Sequence, residues 1–246
     1  TNHFITTTRG GVSTGNYNSM NLGLYCGEAP SITQENYGIL ASQLGISTNR
    51  IFVPREIHSN QVAVIDEEIL AMDKQHRVEA LSQADALITQ LTNVAVTVST
   101  ADCVPIICTD NKTFVAAIHA GWRGIISDVI DSTLQKMEIL GCNLSDLSFL
   151  VGPCISGESY EVDIDVWSQF CNHFTQSELE TILTKQTKYK YYPDLRTAAT
   201  LQILKYVEAN KIFQLKADTF TDSRFYSVRR SGAKTGRFLT GIMLKG

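Results

Sequence analysis

No apolar run in this 246-residue sequence approaches the roughly 18 residues that a membrane-spanning helix needs. The N-terminal segment also lacks the apolar core of a signal peptide. The overall composition, with 43% apolar and 19% charged residues, is that of an ordinary globular protein. We therefore expect a soluble, cytoplasmic protein that folds as one domain over residues 1–246 and has no membrane partner.

The sequence also lacks an excess of basic residues. Its 21 Lys and Arg residues are outnumbered by 25 Asp and Glu residues, so the formal net charge is −4. Proteins that bind nucleic acid through its phosphates present a basic field to it. The charge balance therefore argues against a nucleic-acid partner.

Paired cysteines are missing as well. The chain has six cysteines, but none form a CxxC pair, and the chain is large enough to fold without disulfides. We expect reduced thiols, most of them packed as small apolar side chains. Only Cys103 has sequence neighbours that indicate chemistry.

The apolar periodicity predicts a mixture of strands and helices. Runs rich in β-branched residues predict strands over residues 3–8, 50–53, 61–66, 85–89, 94–99, 104–109, 113–118, 149–151 and 238–244. Helical spacing of apolar residues predicts helices over 31–45, 125–140, 165–174 and 194–209. Ser31 with Gln34 fits a capping box, Gly45 fits a helix end, and Asp194 fits an N-cap. The polar stretch 175–192 predicts a surface excursion such as a lid.

One predicted hairpin brings two reactive residue types together. The strands 104–109 and 113–118 flank a polar turn at Asn111, and a hairpin centred there pairs Cys103 with His119. Opposite residues have Cβ atoms about 5 Å apart, which suits either a shared zinc ion or a cysteine nucleophile with a histidine base. A buried thiol beside a structural histidine is the simpler alternative.

A third ligand would favour a metal site over a nucleophile and base. His58 is the best remaining candidate because it lies in a strand connection beside polar residues, although a solvated loop histidine is equally compatible with that setting. Asp102 and Glu56 are candidates for carboxylates that orient the ligands, with a capping or surface role as the alternative. Three protein ligands and one open position are typical of a catalytic zinc site.

Anion-binding groups are predicted in two further segments. After His119, the run AGWRG leads into a helix start whose free N–H groups can bind an anion, with Arg123 beside them. Near the C-terminus, Arg229, Arg230, Lys234 and Arg237 crowd a glycine-containing loop, where arginines can hold phosphate bidentately. A solvated basic face is the alternative there, and Arg9 in an RGG turn is a weaker candidate.

Motifs spread along the chain resemble those of one known family. In this order the chain contains TTRGGVSTGNYNSMNLG, IHSNQV, ADALIT, TADCVPI, AIHAGWRG, GPCISGESYEV and FYSVRRSGAKTGR. Over essentially its whole length it is similar to the YfiH-like family, also called the polyphenol oxidoreductase or laccase-domain family. The pairing of TADC with HAGWRG at this spacing is the most specific part of the resemblance.

The resemblance implies an α+β fold with mixed β-sheets flanked by helices, and a Zn²⁺ held by His58, Cys103 and His119. It implies phosphorolysis of adenosine, inosine and S-methyl-5′-thioadenosine, with adenosine deamination as a further zinc-dependent reaction. Purine nucleosides and phosphate are then the partners of a monomer or homodimer. On this reading the candidate catalytic residues are Cys103, His119 and Asp102. The candidate nucleoside and phosphate contacts are Arg9, Arg123, Arg229, Arg230 and Arg237.

Two other functions stay open. A cysteine or metal-dependent amidase that edits peptidoglycan precursors would use Cys103 with His119, and a non-catalytic protein would keep the zinc as a structural clip. Structural zinc sites normally have four protein ligands, and the sequence offers no good fourth one. The laccase name implies a blue copper site and a trinuclear copper cluster, for which five histidines are too few.

Three positions depart from the family's pattern. Glu56 stands where Gln is usual, Tyr37 where an Asn-Arg pair is common, and Asp218 where a Cys-Thr pair usually begins. None of these departures removes a candidate metal ligand. Glu56 adds a charge beside the predicted site, so it is the departure we expect to affect substrate preference.

Overall fold

The computed structural model describes all residues from Thr1 to Gly246, arranged in three β-sheets with flanking helices. In spatial order the six-stranded sheet contains β11 (Ile212–Gln214), β8 (Ser148–Val151), β6 (Val104–Thr109), β7 (Val115–Ala120), β4 (Ala86–Thr89) and β3 (Val62–Ile65). The four-stranded sheet contains β1 (Asn2–Ile5), β12 (Phe238–Met243), β5 (Ala95–Thr100) and β2 (Ile51–Phe52). The two-stranded sheet pairs β10 (Tyr191–Pro193) with β9 (Leu183–Gln186).

Nine α-helices accompany these sheets. They are α1 (Pro30–Leu44), α2 (Glu67–Ala71), α3 (Lys74–Ala80), α4 (Trp122–Ile126), α5 (Val129–Ile139), α6 (Ile164–His173), α7 (Gln176–Ile182), α8 (Leu195–Ile203) and α9 (Val228–Ser231). None of them combines the length and the apolar composition that crossing a bilayer demands. Both larger sheets mix parallel and antiparallel pairs, so the predicted α+β class with mixed sheets flanked by helices is confirmed.

Strands β6 and β7 form the buried centre of the molecule because both faces of the large sheet are covered. Alternate residues point to opposite faces. Ile107 and Ala117 pack against the four-stranded sheet, in a cluster that includes Val96 and Ile242. On the other face, Ile106 and its neighbours pack against the apolar sides of α4, α5 and α8. The hairpin that carries the candidate site residues therefore has a rigid base.

Some predicted helix ends need correction. Helix α1 ends at Gly45, which has a φ of 69° as a left-handed C-cap, but it begins at Pro30 after Ala29, so the Ser31 capping box is wrong. The predicted helix 125–140 is two helices, because Asp128 adopts a φ of 63° between α4 and α5. Asp194 caps α8 as predicted, and the helix ends at Ile203, short of the predicted end.

The stretch 175–192 is only partly a surface excursion. Helix α7 buries Leu179 and Ile182 in the main core, and Thr175 caps the helix through a capping box. Strands β9 and β10 then form a short hairpin whose first strand is largely exposed. The first half of this segment is thus part of the core, which does not fit the expectation of a lid.

Candidate functional site

The open end of the β6–β7 hairpin carries two of the candidate residues, although the predicted register is wrong. Pro105, not Cys103, lies opposite His119. The turn is longer than expected because the Asp110 carboxylate accepts hydrogen bonds from the backbone N–H groups of Lys112, Thr113 and Phe114, each at 2.9 Å. The centre of the hairpin moves by one residue as a result, and Cys103 lies just before β6.

His58, Cys103 and His119 nevertheless converge. One ligand atom from each residue lies within 4.8 Å of the others, and the Cys103 Sγ atom is 3.8 Å from His58 Nε2. The two imidazole rings meet edge to face with centroids 4.9 Å apart. His119 is buried, Cys103 is half-buried and His58 is exposed, so the group is open on one side. We call these three residues the ligand group.

Gly121 makes room for the ligand group. A Cβ atom at this position would lie 2.8 Å from His58 Cδ2 and 3.1 Å from Cys103 Sγ. Both distances are below ordinary van der Waals contact, so any side chain here would displace a ligand. Position 121 therefore requires glycine, because His58 and Cys103 approach its Cα atom too closely for a side chain.

A single buried carboxylate, Asp85, positions both histidines. Its Oδ1 atom accepts hydrogen bonds from His119 Nδ1 at 2.8 Å and from the His58 backbone N–H at 2.9 Å. Its Oδ2 atom accepts from the N–H groups of Ile57 at 3.2 Å and Ser59 at 2.7 Å, and from the Ser59 hydroxyl at 2.8 Å. Asp85 thereby holds the loop in which His58 has a left-handed φ of 63°.

The sequence analysis did not single out Asp85. In the sequence it is the Asp of the ADALIT motif and comes directly before the fully buried strand β4, where an unpaired carboxylate would be costly. The bond from Nδ1 to Asp85 holds the proton on that nitrogen, so in the neutral ring the lone pair of His119 Nε2 is available to bind a metal. Asp85 thus has the orienting role that was considered for Asp102 and Glu56.

The charges of the ligand group support one another. Burial opposes ionisation of Cys103, but the positive charge of His119 and hydrogen bonds from both histidines outweigh it and lower the pKa of the thiol to about 6. Burial likewise opposes protonation of His119, yet Cys103 and Asp85 raise the pKa of its imidazole well above the usual value. Without metal these shifts favour a thiolate beside an imidazolium.

The ligand group fits a zinc ion. A thiolate and two imidazoles are ligands that Zn²⁺ prefers, and the tautomer of His119 is already set by Asp85. Metal binding would release the extra proton of the imidazolium, which is the usual coupling between ligation and titration. The group contains three donor residues, and all three line one cavity, so a bound ion would leave room beside it for water or substrate.

Asp102 and Glu56 lie beside the ligand group with other partners. Asp102 accepts hydrogen bonds from the Thr219 hydroxyl at 2.7 Å and from the Arg229 backbone N–H at 2.8 Å. Glu56 accepts from the backbone N–H of Ser99 at 2.7 Å and from its hydroxyl at 2.9 Å. Burial raises the pKa of Glu56, although His119 and Ser99 act in the opposite direction. Both carboxylates line the cavity.

The other two departures from the family's pattern lie outside the cavity lining. The Tyr37 hydroxyl donates a hydrogen bond to the Leu22 carbonyl oxygen at 2.8 Å inside the protein. Asp218 accepts hydrogen bonds from the hydroxyls of Ser156 and Ser159. Both side chains support loops, so Glu56 is the departure that changes the site itself.

The ligand group lies in the wall of a cavity of about 590 Å³, which we call the site cavity. Two of the five predicted arginine contacts, Arg229 and Arg237, line it. Arg9, Arg123 and Arg230 do not. Arg55 also lines the cavity and was not predicted, because in the sequence it is a single cation with no cluster around it.

The three outlying arginines have visible alternatives. The Arg230 guanidinium donates hydrogen bonds to the carbonyl oxygens of Thr219 at 2.6 Å, Phe220 at 3.0 Å and Phe225 at 2.6 Å, so it supports the chain locally. Arg123 stacks on the Trp122 ring, 4.2 Å from its centroid. Arg9 is exposed in its turn. The structure therefore divides the C-terminal arginine cluster between the cavity and the scaffold.

Tyr160 is a further cavity residue that the sequence analysis missed. The Arg229 guanidinium lies over its ring, 5.3 Å from the ring centroid. Arg229 Nη1 also donates a hydrogen bond to the Glu161 carbonyl oxygen at 3.0 Å. Burial raises the pKa of the Tyr160 hydroxyl, and the neighbouring Cys103 adds to the rise. With Ile155 and Val228, Tyr160 forms part of the apolar lining of the cavity.

Comparison with known proteins gives consistent results. The chain is 35% identical to a purine nucleoside phosphorylase of Bacteroides thetaiotaomicron, covering 98% of this chain and 91% of the relative. It is 34% identical to adenosine deaminase RL5 of an unknown prokaryotic organism, covering 98% and 93%. The crystal structure of YfiH from Bacillus licheniformis shares the fold, with a TM-score of 0.90, 24% identity and coverage of 99% and 92%.

A family model covers almost the whole chain. It is described as multi-copper polyphenol oxidoreductase laccase and matches residues 2–245. This confirms the resemblance to the YfiH-like, or laccase-domain, proteins. The match and the relatives together show that the chain belongs to this family.

Proposed function

We propose that this protein is a zinc-dependent purine nucleoside phosphorylase that acts on adenosine, inosine and S-methyl-5′-thioadenosine and also deaminates adenosine. The observation that carries the proposal is the ligand group in the wall of a cavity that also presents Arg55, Arg229 and Arg237. Relatives named purine nucleoside phosphorylase and adenosine deaminase support the same chemistry. The volume of the site cavity falls within the usual range for small-molecule sites.

The proposed zinc ligands are His58, Cys103 and His119. A bound ion would act as a Lewis acid and lower the pKa of water toward 7. Deamination requires water that is activated in this way. In that reaction water adds at C6 of adenosine and ammonia leaves, so that inosine is formed. Asp85 keeps the His119 proton on Nδ1 throughout.

Phosphorolysis needs both a held anion and a stabilised base. A phosphate oxygen forms the bond to C1′ of the ribose while the bond from C1′ to the purine nitrogen breaks and its electron pair goes to the base. The proton of hydrogen phosphate is transferred to the departing base, and the products are the purine and ribose 1-phosphate. We assign the guanidinium groups of Arg55, Arg229 and Arg237 to phosphate, since guanidinium groups bind phosphate in the transition state as well as in the ground state.

The apolar lining of the site cavity suits the purine base of the substrate. Tyr160, Ile155 and Val228 present a ring and two branched side chains on which a flat base can pack. Arg229 lies over Tyr160 and is therefore at the junction between the proposed base and phosphate positions. Asp102 holds the backbone of Arg229, so we assign it to positioning this junction rather than to the ligands.

The family description refers to copper, but the arrangement of histidines does not support multicopper chemistry. Of the five histidines, His58 and His119 belong to the ligand group. His76 pairs with Asp73 on the surface, and His173 pairs with Asp128. A trinuclear cluster and a blue copper site need many more imidazoles in one place.

The domain boundaries, location and oligomeric state predicted from the sequence stay predictions. We propose that residues 1–246 act as one phosphorylase domain, because the motifs that form the site cavity come from both ends of the chain. Arg237 near the C-terminus and Gly23 near the N-terminus line the same cavity. A cytoplasmic location and a monomer or homodimer remain to be tested.

Elemental analysis of the purified protein, coupled to product analysis with and without phosphate, tests the proposal. We expect about one zinc ion per chain. Adenine and ribose 1-phosphate should form from adenosine only when phosphate is present, whereas inosine should form with or without it. A zinc-replete sample that leaves adenosine and inosine intact in the presence of phosphate would overturn the proposal.

A second candidate function rests on the chain of contacts from Cys103 through His119 to Asp85. A thiol, an imidazole and a buried carboxylate in this order are the parts of a cysteine hydrolase, here an amidase acting on peptidoglycan precursors. Amide hydrolysis that survives complete zinc removal and is lost in Cys103→Ala would favour this function. Loss of all activity with the metal would favour the phosphorylase.

A further inference from the structure

A second cavity adjoins the site cavity. Its volume is about 430 Å³, and it shares the side chains of Leu24, Tyr25 and Arg55 with the site cavity. The Arg55 guanidinium lies over the Tyr25 ring, 5.2 Å from its centroid. This pair lies at the boundary that the two cavities share, which we call the Tyr25–Arg55 partition, and such contacts between exposed groups are weak. We call the second space the adjoining cavity.

The adjoining cavity is mainly apolar. Its walls come from helix α1, strand β2, helix α3 and the loops beside them, and its apolar lining includes Tyr37, Ile51, Phe52, Val53, Met72, Val78 and Leu81. This composition differs from that of the site cavity, where the metal ligands and the arginines face the same space. The two spaces therefore favour different parts of one ligand, a polar part and an apolar part.

The adjoining cavity is lined by the charged residues Arg55, Asp73, Lys74 and Arg77, and its two arginines are engaged elsewhere. The Arg77 guanidinium donates hydrogen bonds to the carbonyl oxygens of Met72, Asn49 and Leu70, and it also lies over the Phe52 ring at 5.2 Å. Its donors are thus committed to the protein. Arg55 stands at the boundary with the site cavity, where we assign it to phosphate.

Three apolar side chains of this cavity are unusually exposed. Leu24 is 47% exposed, Tyr25 is 52% exposed and Val78 is 43% exposed. Exposed apolar side chains around one concave space are typical of a ligand-binding site, because a bound ligand would cover them. The groups that would gain most from this burial are alkyl or aryl groups.

We propose that the adjoining cavity is an apolar subsite that takes the alkyl or aryl substituent of a purine nucleoside while the ribose and base occupy the site cavity. This inference rests on the proposed function and names its substrate class more closely. The substituent passes the Tyr25–Arg55 partition, and the rest of the nucleoside stays beside the ligand group. Unsubstituted inosine would leave the adjoining cavity unused.

The test compares two matched series of adenosines, one with an alkylthio group at C5′ and one with an alkyl group on the exocyclic amine. In each series the chain is lengthened from methyl to butyl, and kcat/KM for phosphate-dependent cleavage is measured. In one of the two series we expect kcat/KM to rise by about fourfold for each added methylene, the factor that corresponds to burying a CH₂ group. That series identifies the position from which the substituent enters the subsite.

Substitutions at Val78 supply the matched controls. This residue lies on α3, is partly exposed, and lines the adjoining cavity but not the site cavity, so a larger side chain there takes up space in the adjoining cavity. Val78→Trp should remove the chain-length dependence and leave inosine cleavage unchanged, whereas Val78→Ala should keep the dependence. A chain-length gain that survives in Val78→Trp would refute the subsite.

Binding measurements separate this inference from the proposed function. The affinities of the methyl and butyl nucleosides are measured by calorimetry in the absence of phosphate. Tighter binding of the butyl compound, lost in Val78→Trp, would support the subsite even if no nucleoside were cleaved, and the phosphorylase proposal alone would fail. Cleavage of inosine without any chain-length dependence in kcat/KM or affinity would overturn the subsite and leave the proposed function standing.

Discussion

The two sides of the site cavity are held in place by different means. On the metal side, the ligand group is tied to the interior through Asp85, whose five hydrogen bonds reach His119 and the loop that carries His58. On the arginine side, formed by Arg55, Arg229 and Arg237, the guanidinium groups rest on aromatic rings or backbone carbonyls near solvent.

This difference determines how each side should respond to substitution. Buried carboxylate and imidazole groups lose their partners without replacement by water, so a single change on the metal side is costly. Exposed guanidinium groups are screened by solvent and salt and act more independently. The comparison predicts large effects on the metal side and graded effects on the arginine side.

The largest effect is expected for Cys103→Ser. The substitution removes the thiolate from the proposed zinc ligands, and kcat/KM for adenosine phosphorolysis should fall by about 10³-fold with loss of bound zinc. Metal content and kinetics are measured on the same preparation. Cys171→Ser, at an exposed cysteine away from the cavity, is the matched control and should behave like the wild type. Full activity in Cys103→Ser would show that the activity does not depend on the Cys103 thiolate, and the two sides of the cavity would not differ as predicted.

A smaller but still large effect is expected for Asp85→Asn. The amide keeps the size of the side chain but places a donor group against N–H donors, so zinc affinity should fall by about 10- to 100-fold. Hydrogen exchange of the backbone N–H groups of Ile57, His58 and Ser59 should also become faster in the metal-free protein. Asp110→Asn is the matched control, because Asp110 also accepts three backbone N–H hydrogen bonds but does not line the cavity, so zinc affinity should stay unchanged. Unchanged hydrogen exchange and zinc affinity in Asp85→Asn would show that the conformation of the His58 loop does not depend on Asp85.

An intermediate effect is expected on the arginine side. Arg229→Ala should raise KM for phosphate by about tenfold with a small change in kcat, because a charge-assisted contact at a partly solvated site is lost. Lys234→Ala changes a cation in the same loop that does not line the cavity, and KM should stay within about twofold. Equal effects of the two substitutions would mean that the loop acts only through its overall charge.

The smallest effect on activity is expected for Arg230→Ala, whose main effect should be on stability. Loss of the hydrogen bonds to the carbonyl oxygens of Thr219, Phe220 and Phe225 should lower the free energy of unfolding by about 2 kcal/mol, with KM for phosphate unchanged. Urea denaturation and phosphate kinetics check the two halves of this statement. A raised KM without destabilisation would place Arg230 with the cavity arginines.

Local features of the fold were predictable to a large extent. Strands β6 and β7 were found because their residues are strongly β-branched and apolar, and Gly45 was found as the end of α1 because a left-handed C-cap favours glycine. The exact register of the hairpin was not predictable. It depends on the Asp110 side chain, which lengthens the turn by accepting three backbone hydrogen bonds.

The candidate site divides in the same way. Cys103 and His119 were selected from a short segment, because a hairpin brings its two ends together whichever residue is at the centre. Asp85 was missed because it meets His119 across a strand pair, 34 residues away in the chain, and nothing in its own neighbourhood marks it as a partner. Arg229 and Arg230 are neighbours in sequence, yet the first lines the cavity and the second supports the backbone.

By itself the sequence limited the chemistry: it paired Cys103 with His119 for a metal site or a nucleophile and base, it offered His58 as a third ligand, and it has too few histidines for multicopper oxidation. Only the tertiary structure decided which carboxylate orients the ligands, which arginines face the cavity, and that an apolar cavity adjoins it. The physical reason is that residue type sets which titratable group and donor atoms a side chain has. Its direction and partners depend on elements that are far apart in the chain and pack together only when the sheets close around β6 and β7.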